Sequence, residues 1–424
     1  MHPLRQHARV LAASLTGTAV EFYDFYIYAT AAALVFGPLF FPAESEAAQT
    51  LFAFMSFGLA FFARPVGAIV FGHFGDRIGR KSTLVASLML MGLSTLLIAF
   101  LPSYAFMDEK GVGWAAPLLL CILRFGQGFG LGGEWGGASL LAVENAPKGW
   151  EARFGSAPQF GAPVGFLAAN GLFLILGLML SDADFKAWGW RIPFLASAVL
   201  VALGLWVRLR IAETPAFREA LAHKAPPAVP VAVLLSRHFG AVLAGTAGAI
   251  ACFAIFYLST AYALAQGTTT LGYSRETFLA VQLGANCCFA LGILIAVIRA
   301  DRTSPRQVML TGAVMTIALG MVFGAGLTSG SLPVIFVTLS AALVVMGFVY
   351  GPLGSWLPTL FPVTVRYSGI SLAFNVGGIV GGALTPIGAQ LLAEAGLGSH
   401  VGLLLSLAGL ATLIGVLAAK RSCP

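Results

Sequence analysis

Charged residues are scarce in this sequence: only 10% of its 424 residues are Asp, Glu, Lys or Arg, whereas 58% are hydrophobic. A soluble domain carries about 25% charged residues, so this composition excludes an ordinary soluble protein. Cysteine is also rare, and the five cysteines show no metal-ligand spacing, which is typical of small buried residues. We therefore predict an all-α integral membrane protein with no metal site and no cofactor.

Long apolar runs divide the chain into twelve predicted membrane-spanning segments, six on each side of a polar stretch. The segments are Val10–Phe36, Leu51–Phe71, Ser82–Leu101, Ala115–Val143, Pro158–Leu180, Ile192–Leu209, Gly240–Ala265, Thr277–Ile298, Val308–Leu327, Leu332–Tyr350, Ile370–Leu392 and Val401–Ala419. We predict two six-helix bundles, residues 1–209 and 240–424, joined by a basic, proline-containing cytoplasmic linker at 210–239. The first run is too long and too charged at its centre for a cleaved signal peptide, so we expect it to be a retained span.

Lys and Arg concentrate in the loops on one side of these segments, whereas the opposite loops carry mostly acids. Because cytoplasmic loops are enriched in cations, both termini are predicted to be cytoplasmic. The net charge of +7 is then a topology signal and does not indicate nucleic-acid binding.

Five charged residues fall inside the predicted spans: Glu21, Asp24, Arg64, Arg124 and Glu134. A charge in mid-membrane costs about 2.5 to 3.5 kcal/mol on insertion scales, so these side chains must face protein or water. Their depths along the helices place Asp24 and Glu21 near the level of Arg124, and Arg64 near Glu134. If each arginine neutralises one acid, one buried carboxyl is left over, and burial favours the neutral form of such a group.

We predict that Asp24 carries a proton, with Glu21 and Glu134 as further proton-coupling candidates. Arg124 is predicted to exchange a carboxylate partner for an anionic substrate, because its planar fork binds carboxylates with two hydrogen bonds. Permanent structural ion pairs are the alternative, and that alternative is favoured for Arg64 and Glu134. Tyr28 lies one turn beyond Asp24 on the same helix face and is a candidate cavity hydroxyl.

Neutral polar residues inside the spans either bind substrate or hydrogen-bond helices to one another. The candidates are Gln127, Gln159, Gln282, Asn286, Tyr350 and Asn375, to which the aromatic seventh segment adds Tyr257. The fourth segment also carries seven glycines between Gly126 and Gly137. Close helix approach explains them better than phosphate binding, because no strand and no P-loop lysine accompany them.

Gly72 to Lys81, GHFGDRIGRK, recurs in degraded form as ADRTSPRQ after the eighth segment, which indicates two related halves. GHFGDRIGRK resembles the signature loop of the major facilitator superfamily. Further stretches resemble its metabolite:proton symporter branch: EFYDFYIY at Glu21, RFGQGFGLGGEWGG at Arg124, ENAPKGWEAR at Glu144 and LFPVTVRYSG at Leu360. The resemblance implies a major facilitator fold and uptake of organic acids, such as shikimate, or of zwitterions, such as betaine.

Charges at the predicted cytoplasmic face suggest a gate between the two halves. Arg77, Arg80 and Lys81 are within reach of Glu144, Glu151 or Glu213, and Asp76 can accept hydrogen bonds from a helix N-terminus. The resemblance implies that Asp76 and Arg80 stabilise an outward-open state, and Arg153 belongs to the same predicted gate. Pro305 replaces a glycine common in relatives, which argues against a gating role for the second copy of the loop.

Taken together, the sequence predicts a secondary transporter that takes up a small carboxylate or zwitterion with protons by alternating access, as a monomer in the lipid bilayer. Two alternatives stay open. One is a proton-coupled antiporter or exporter with the same fold, and the other is a membrane sensor that binds ligand without transport.

Overall fold

The structure is a computed structural model, and it describes residues 8–43, 45–78, 80–210, 230–362 and 365–419. The side chains of residues 8–10, 13, 72–84, 141, 207–210 and 230 lie outside this description. Within the described ranges every regular element is helical. The principal helices are α1 (Ala8–Ala31), α2 (Glu46–Ile78), α3 (Arg80–Ile98), α4 (Ala115–Leu131), α5 (Glu134–Glu144), α6 (Glu151–Gln159), α7 (Gly161–Met179), α8 (Asp182–Ala187), α9 (Ile192–Arg210), α10 (Pro230–Arg237), α11 (Phe239–Tyr257), α12 (Arg275–Arg302), α13 (Pro305–Leu327), α14 (Leu332–Tyr350), α15 (Arg366–Gly378), α16 (Thr385–Glu394) and α17 (Gly402–Ala418).

Short helical turns continue or connect these helices. α-Helical turns lie at Gly37–Phe40, Tyr104–Asp108, Ala263–Ala265 and Leu353–Trp356, and 3₁₀ turns at Gly189–Arg191, Leu357–Leu360 and Gly398–His400. π-Helical turns lie at Ala32–Phe36, Leu258–Tyr262, Gln266–Thr270 and Ile379–Leu384. π-Turns are rare and often occur at functional sites, and one of them, Leu258–Tyr262, lies directly after α11.

The membrane-spanning pattern agrees with the predicted all-α architecture. In the part of the chain that the structure describes, 11 helical stretches are long and apolar enough to cross a membrane. The apolar part of α3, Val85–Ile98, is shorter and occupies the place of the predicted third segment. The stretch that contains α1 is the most enclosed, with 83% of its apolar window buried, so this acid-bearing helix faces protein, as predicted.

Glycines allow α2 and α4 to approach at backbone contact. A Cβ at Gly67 or Gly128 would collide with the carbonyl oxygen of Phe129 or Ala60, respectively, and one at Gly132 would collide with that of Arg64. Small residues permit this kind of helix approach in membranes, so the predicted packing role of the glycines is confirmed. The predicted fourth segment is nevertheless not one helix, because α4 ends at Leu131 and α5 begins at Glu134.

We call residues 8–210 the first half and residues 230–419 the second half. Aromatic rings join the two halves in the centre of the molecule: the ring of Tyr257 lies 5.1 Å from that of Phe57 and 5.5 Å from that of Phe61, between centroids. Closer to α5, Trp135 stacks on Phe374 with centroids 3.7 Å apart. The halves are therefore in close contact where the buried charges lie.

Candidate functional site

Asp24 is completely buried in the first half. Its exposed fraction is 0%, and its Oδ1 atom accepts a hydrogen bond from the Ser197 hydroxyl of α9 at 2.5 Å. Its Oδ2 atom has no hydrogen-bond partner among the described residues. Asp24 therefore lies between helices, away from lipid, with half of its carboxyl group unpaired.

The two other predicted proton-coupling residues are also buried. Glu21 lies one turn before Asp24 on α1, and Glu134 opens α5. Glu134 Oε1 accepts a hydrogen bond from the Ser87 hydroxyl of α3 at 2.6 Å. The protein thus encloses all three predicted acids within the first half.

Arg124 is surrounded by aromatic rings. Its Cζ atom lies 4.0 Å from the ring centroid of Tyr28, 4.2 Å from that of Phe25 and 4.9 Å from that of Phe57. Its Nε atom donates to the Phe57 carbonyl at 3.3 Å, and Nη1 donates to Gln127 Oε1. None of the described residues supplies an acceptor for Nη2. Cation–π contacts and neutral acceptors therefore hold this guanidinium.

Arg64 lies in the same aromatic group. Its Cζ atom is 4.2 Å from the Phe25 centroid and 4.9 Å from the Phe61 centroid, and its Nε atom has no acceptor among the described residues. The Phe25 ring therefore contacts both buried arginines.

Neither buried arginine forms an ion pair with a described acid in this structure, so the condition from which one unpartnered carboxyl was inferred is not met. The ion pairs between described residues join Arg153 with Asp301, and Arg275 with Asp182 and Glu276. Neither buried guanidinium takes part in them. The depth estimate from helix rise located the charges along each helix, but the direction of each side chain depends on packing between helices.

Gln127 joins Arg124 to two other helices of the first half. Its Nε2 atom donates to the Asp24 backbone carbonyl at 2.9 Å and to the Thr95 hydroxyl of α3 at 2.8 Å. Its Oε1 atom accepts from Arg124. Both amide hydrogens are therefore used inside the protein in this structure, so the assignment of Gln127 as a substrate ligand stays a prediction.

The two predicted tyrosine ligands contact the aromatic group in different ways. Tyr28 hydrogen-bonds to the Ser56 hydroxyl at 2.8 Å and covers Arg124 with its ring. Tyr257, at the end of α11, is buried against Phe25, Phe57 and Phe61. Through Tyr257 the second half reaches the rings that surround both arginines.

Gln159 and Asn375 bridge the halves in this structure. Gln159 accepts from the Trp135 indole at 3.1 Å and donates to the Tyr350 carbonyl at 2.8 Å. Asn375 donates to the Gly132 carbonyl at 2.7 Å, between α4 and α5. The alternative role of such amides, hydrogen bonding between helices, is the one seen here, so their assignment as substrate ligands stays a prediction.

A small cavity lies between the halves and contains neutral polar groups. It is lined by Tyr26, Ala29, Thr30, Phe166, Asn170, Thr260, Ala261, Leu264 and Gln282. Thr30 donates to Asn170 Oδ1 at 2.6 Å, and Gln282 donates to the Thr260 carbonyl at 2.8 Å in the π-turn after α11. Sequence reasoning named Gln282 but missed Thr30, Asn170 and Thr260, whose only signal was a polar side chain in an apolar run. Asp24 and Arg124 do not line this cavity.

Of the residues in the predicted inner gate, Arg153 forms an ion pair with the second half, and its partner is Asp301. Arg153 Nε lies 2.6 Å from Asp301 Oδ2, and Asp301 also accepts from the Ala152 backbone N–H at 2.8 Å, at the start of α6. Asp301 belongs to the second copy of the loop, so an ion pair between the halves forms there despite Pro305, and whether it acts as a gate stays open. Pro305 begins α13, where a missing N–H breaks no helical hydrogen bond, so it leaves Asp301 undisturbed.

The other predicted gating residues make no such contact that the structure describes. Glu144 is exposed at the end of α5. Glu213 and the side chains of Asp76, Arg77 and Arg80 lie outside the described residues, so their gating roles stay predictions.

An ion pair also joins the halves near the predicted outer face. Arg275, at the start of α12, lies 3.1 Å from Asp182 and 2.7 Å from Glu276. Its Cζ atom is 3.7 Å from the ring centroid of Phe185 in α8. Contacts between the halves therefore exist at both ends of the helices.

Comparisons with known proteins agree with this architecture. The sugar (and other) transporter family model matches residues 10–225. The inner membrane metabolite transport protein YhjE of Escherichia coli (strain K12) is 46% identical over 98% of this chain and 94% of its own length. The shikimate transporter of the same strain is 39% identical over 92% of this chain and 88% of its own. The solved structure of the proton:xylose symporter XylE superposes with a TM-score of 0.76 at 17% identity, covering 96% of this chain and 94% of XylE.

Proposed function

The chain belongs to the sugar (and other) transporter family of the major facilitator superfamily, and on this basis we propose that it is a proton-coupled symporter that takes up a small organic acid. Members of this family are membrane transporters and not enzymes, so the open questions are the substrate and the coupling ion. The proposed symporter works by alternating access around a site between the two halves.

The buried guanidinium of Arg124 supports an anionic substrate most directly. It has an exposed fraction of 0%, and its Nη2 atom has no acceptor among the described residues. An uncompensated buried charge is strongly destabilising, so an anion that reaches Nη2 gains an unusually favourable partner. A carboxylate suits this role because it accepts two parallel hydrogen bonds from arginine.

Asp24 supports proton coupling. Its carboxyl group is buried, one oxygen is held by Ser197 and the other is unpaired. A carboxyl group in this setting can exchange a proton when a conformational change of the surrounding helices admits water. Arg124 and Asp24 are thus proposed to bind the two transported species, an organic anion and a proton.

The relatives support the substrate class and the location. One relative is named a shikimate transporter, and shikimate is a small carboxylate. Another is named an inner membrane protein, which agrees with the proposed inner-membrane location. From the distribution of cations in the loops we also propose that both termini are cytoplasmic. Betaine is kept as a zwitterionic alternative in the test, because aromatic rings such as Tyr26 and Phe166 line the cavity and can contact a quaternary ammonium group.

The experiment uses purified protein in liposomes that contain a pH-sensitive dye. We expect externally added shikimate to acidify the lumen, betaine to have a smaller effect and xylose to have none. Alkalinisation on addition of substrate would instead identify an antiporter. Ligand-induced thermal stabilisation without flux would identify a sensor.

A variant pair tests the role of Arg124. Arg124→Lys keeps the charge but loses the planar guanidinium that donates two parallel hydrogen bonds to a carboxylate. We therefore expect the KM for shikimate to rise by about tenfold or more. Arg191→Lys is the matched control. Arg191 also donates hydrogen bonds to backbone carbonyls, those of Ala187 and Leu101, and its guanidinium lies over the ring of Trp190. Unlike Arg124, it lies at the predicted outer end of the helices. Equal KM changes in the two variants would contradict the assignment of Arg124.

A further inference from the structure

Gln127 and Arg124 lie three residues apart on α4 and therefore project from the same helix face. Both side chains have an exposed fraction of 0%. They are the part of α4 that meets α1 at Asp24, where Gln127 contacts the backbone carbonyl of the predicted proton carrier. The Gln127 amide therefore lies between Arg124, which is proposed to bind substrate, and α1, which carries the proposed proton carrier Asp24.

The hydrogen-bond partners of Gln127 fix the orientation of its amide. Arginine can only donate, so Oε1 must face Arg124, and a backbone carbonyl can only accept, so Nε2 must face Asp24. The second Nε2 hydrogen goes to Thr95, whose own hydroxyl donates to the Met91 carbonyl at 2.9 Å. A rotated amide would lose the bonds to both Arg124 and Asp24, so this arrangement has one orientation.

Asp24 is consequently held from two sides. Its carbonyl is bonded to Gln127 of α4, and its carboxyl group is bonded to Ser197 of α9. Arg124 has its Nη1 fixed by Gln127, while Nη2 is left without an acceptor. Gln127 is therefore a direct hydrogen-bonded link between the Arg124 guanidinium and the Asp24 segment of α1.

Resting on the proposed function, we infer that Gln127 is a positioning residue that couples substrate binding at Arg124 to proton exchange at Asp24. Its amide orients Arg124 with Nη2 directed away from the protein's own acceptors. The same amide transmits displacement of Arg124 to α1, which changes the contact between Asp24 and Ser197. Gln127 contacts neither transported species in this scheme.

Gln127→Leu tests the inference because it preserves volume and removes every hydrogen bond of the amide. We expect shikimate exchange at equal pH to persist in this variant. Accumulation driven by a pH gradient should fall by about tenfold or more relative to exchange, because a tenfold change corresponds to the loss of about one hydrogen bond to a charged group. Thr412→Val is the control. It removes buried hydrogen bonds to Ala247 and Ala251 in the second half, at 2.8 and 3.0 Å, and should leave the ratio of accumulation to exchange unchanged.

Gln127→Glu provides an independent readout if Gln127→Leu does not fold. A carboxylate at this position pairs permanently with Arg124 and competes with an anionic substrate, so the KM for shikimate should rise by about tenfold or more. An unchanged KM would overturn the inference. The double variant Asp24→Asn/Gln127→Leu should lose no more coupling than Asp24→Asn alone. The effects of substitutions at residues that act together are not additive.

Two failures are distinguishable. If Gln127→Leu lowers only the melting temperature and keeps wild-type coupling, Gln127 merely joins helices and the inference alone is wrong. If the wild-type protein exchanges shikimate without moving protons, the proposed symport is wrong and the inference falls with it.

Discussion

At the scale of single residues, the proposed proton coupling depends on the carboxyl group of Asp24, which forms no ion pair with either buried arginine. Asp24→Asn preserves the shape of this side chain and keeps an oxygen that can accept from Ser197, but it cannot exchange a proton. We expect accumulation of shikimate driven by a pH gradient to fall to the level of protein-free liposomes while exchange continues. Radiolabel uptake with and without a pH gradient measures both quantities.

Asp184→Asn is the matched control for this variant, because Asp184 is exposed and bonded to Ser181 within its own segment at 2.6 Å. It should accumulate shikimate like the wild type. Full accumulation by Asp24→Asn would mean that the proton is carried elsewhere, with Glu21 and Glu134 as the remaining predicted acids.

The sequence identified Asp24 and Arg124 because a charge in an apolar run is rare and costly. It did not identify their partners. Ser197 is 173 residues from Asp24, and the Phe57 carbonyl is 67 residues from Arg124. Such contacts arise from the packing of separate helices, whereas periodicity reports only which face of one helix a residue occupies.

At the scale of helices, the glycines of α4 set the distance between α4 and α2 and thereby the position of Arg124 against Phe25 and Phe57. Gly128→Ala places a methyl group against the Ala60 carbonyl. Overpacking of this kind costs about 1 to 3 kcal/mol, so we expect a lower melting temperature in detergent and a higher KM for shikimate.

Gly171→Ala is the control, because Gly171 lies inside α7 and a Cβ there meets nothing within 4 Å. Alanine is favoured over glycine inside a helix by about 0.5 to 1 kcal/mol, so this variant should be as stable as the wild type or more stable. Equal destabilisation of both variants would show that the contact with Ala60 does not control the packing of α4.

Helix existence was predictable from the length of the apolar runs, but helix continuity was not. The sequence predicted one helix over Ala115–Val143, whereas the structure ends α4 at Leu131 and begins α5 at Glu134. The Gly132 and Gly133 carbonyls at this break accept hydrogen bonds from Asn375 and Tyr367 of the second half. Because the partners that satisfy the break lie more than 230 residues away, apolar patterning could not reveal it.

At the scale of the whole molecule, ion pairs hold the two halves together at both ends. Arg153 with Asp301 lies at the predicted inner face, and Arg275 with Asp182 lies at the predicted outer face. Alternating access requires the contacts at one end to break while those at the other end persist. In the proposed alternating-access cycle the two pairs would therefore act on opposite sides of one conformational equilibrium, and the structure has both of them formed.

Asp301→Asn should shift this equilibrium toward an inner-open state. The variant loses the ion pair with Arg153 and weakens the acceptor for the Ala152 N–H at the start of α6. Both contacts are made by a side chain that is only 2% exposed in this structure. Arg153 is 28% exposed, so solvent screening limits the effect to about 1 kcal/mol, a few-fold change in populations. Arg275→Gln should shift the equilibrium the opposite way, because it removes the pair with Asp182 at the other end.

Distances between spin labels at Lys148→Cys and Arg302→Cys, both exposed at the inner face, would measure these shifts after the five native cysteines are replaced by alanine. We expect a larger long-distance population in Asp301→Asn and a smaller one in Arg275→Gln. Glu394→Gln removes an exposed charge at the end of α16 and should leave the distribution unchanged. If Asp301→Asn and Arg275→Gln moved the distribution in the same direction, the two ion pairs would not oppose each other, and closure at one end would not be linked to opening at the other.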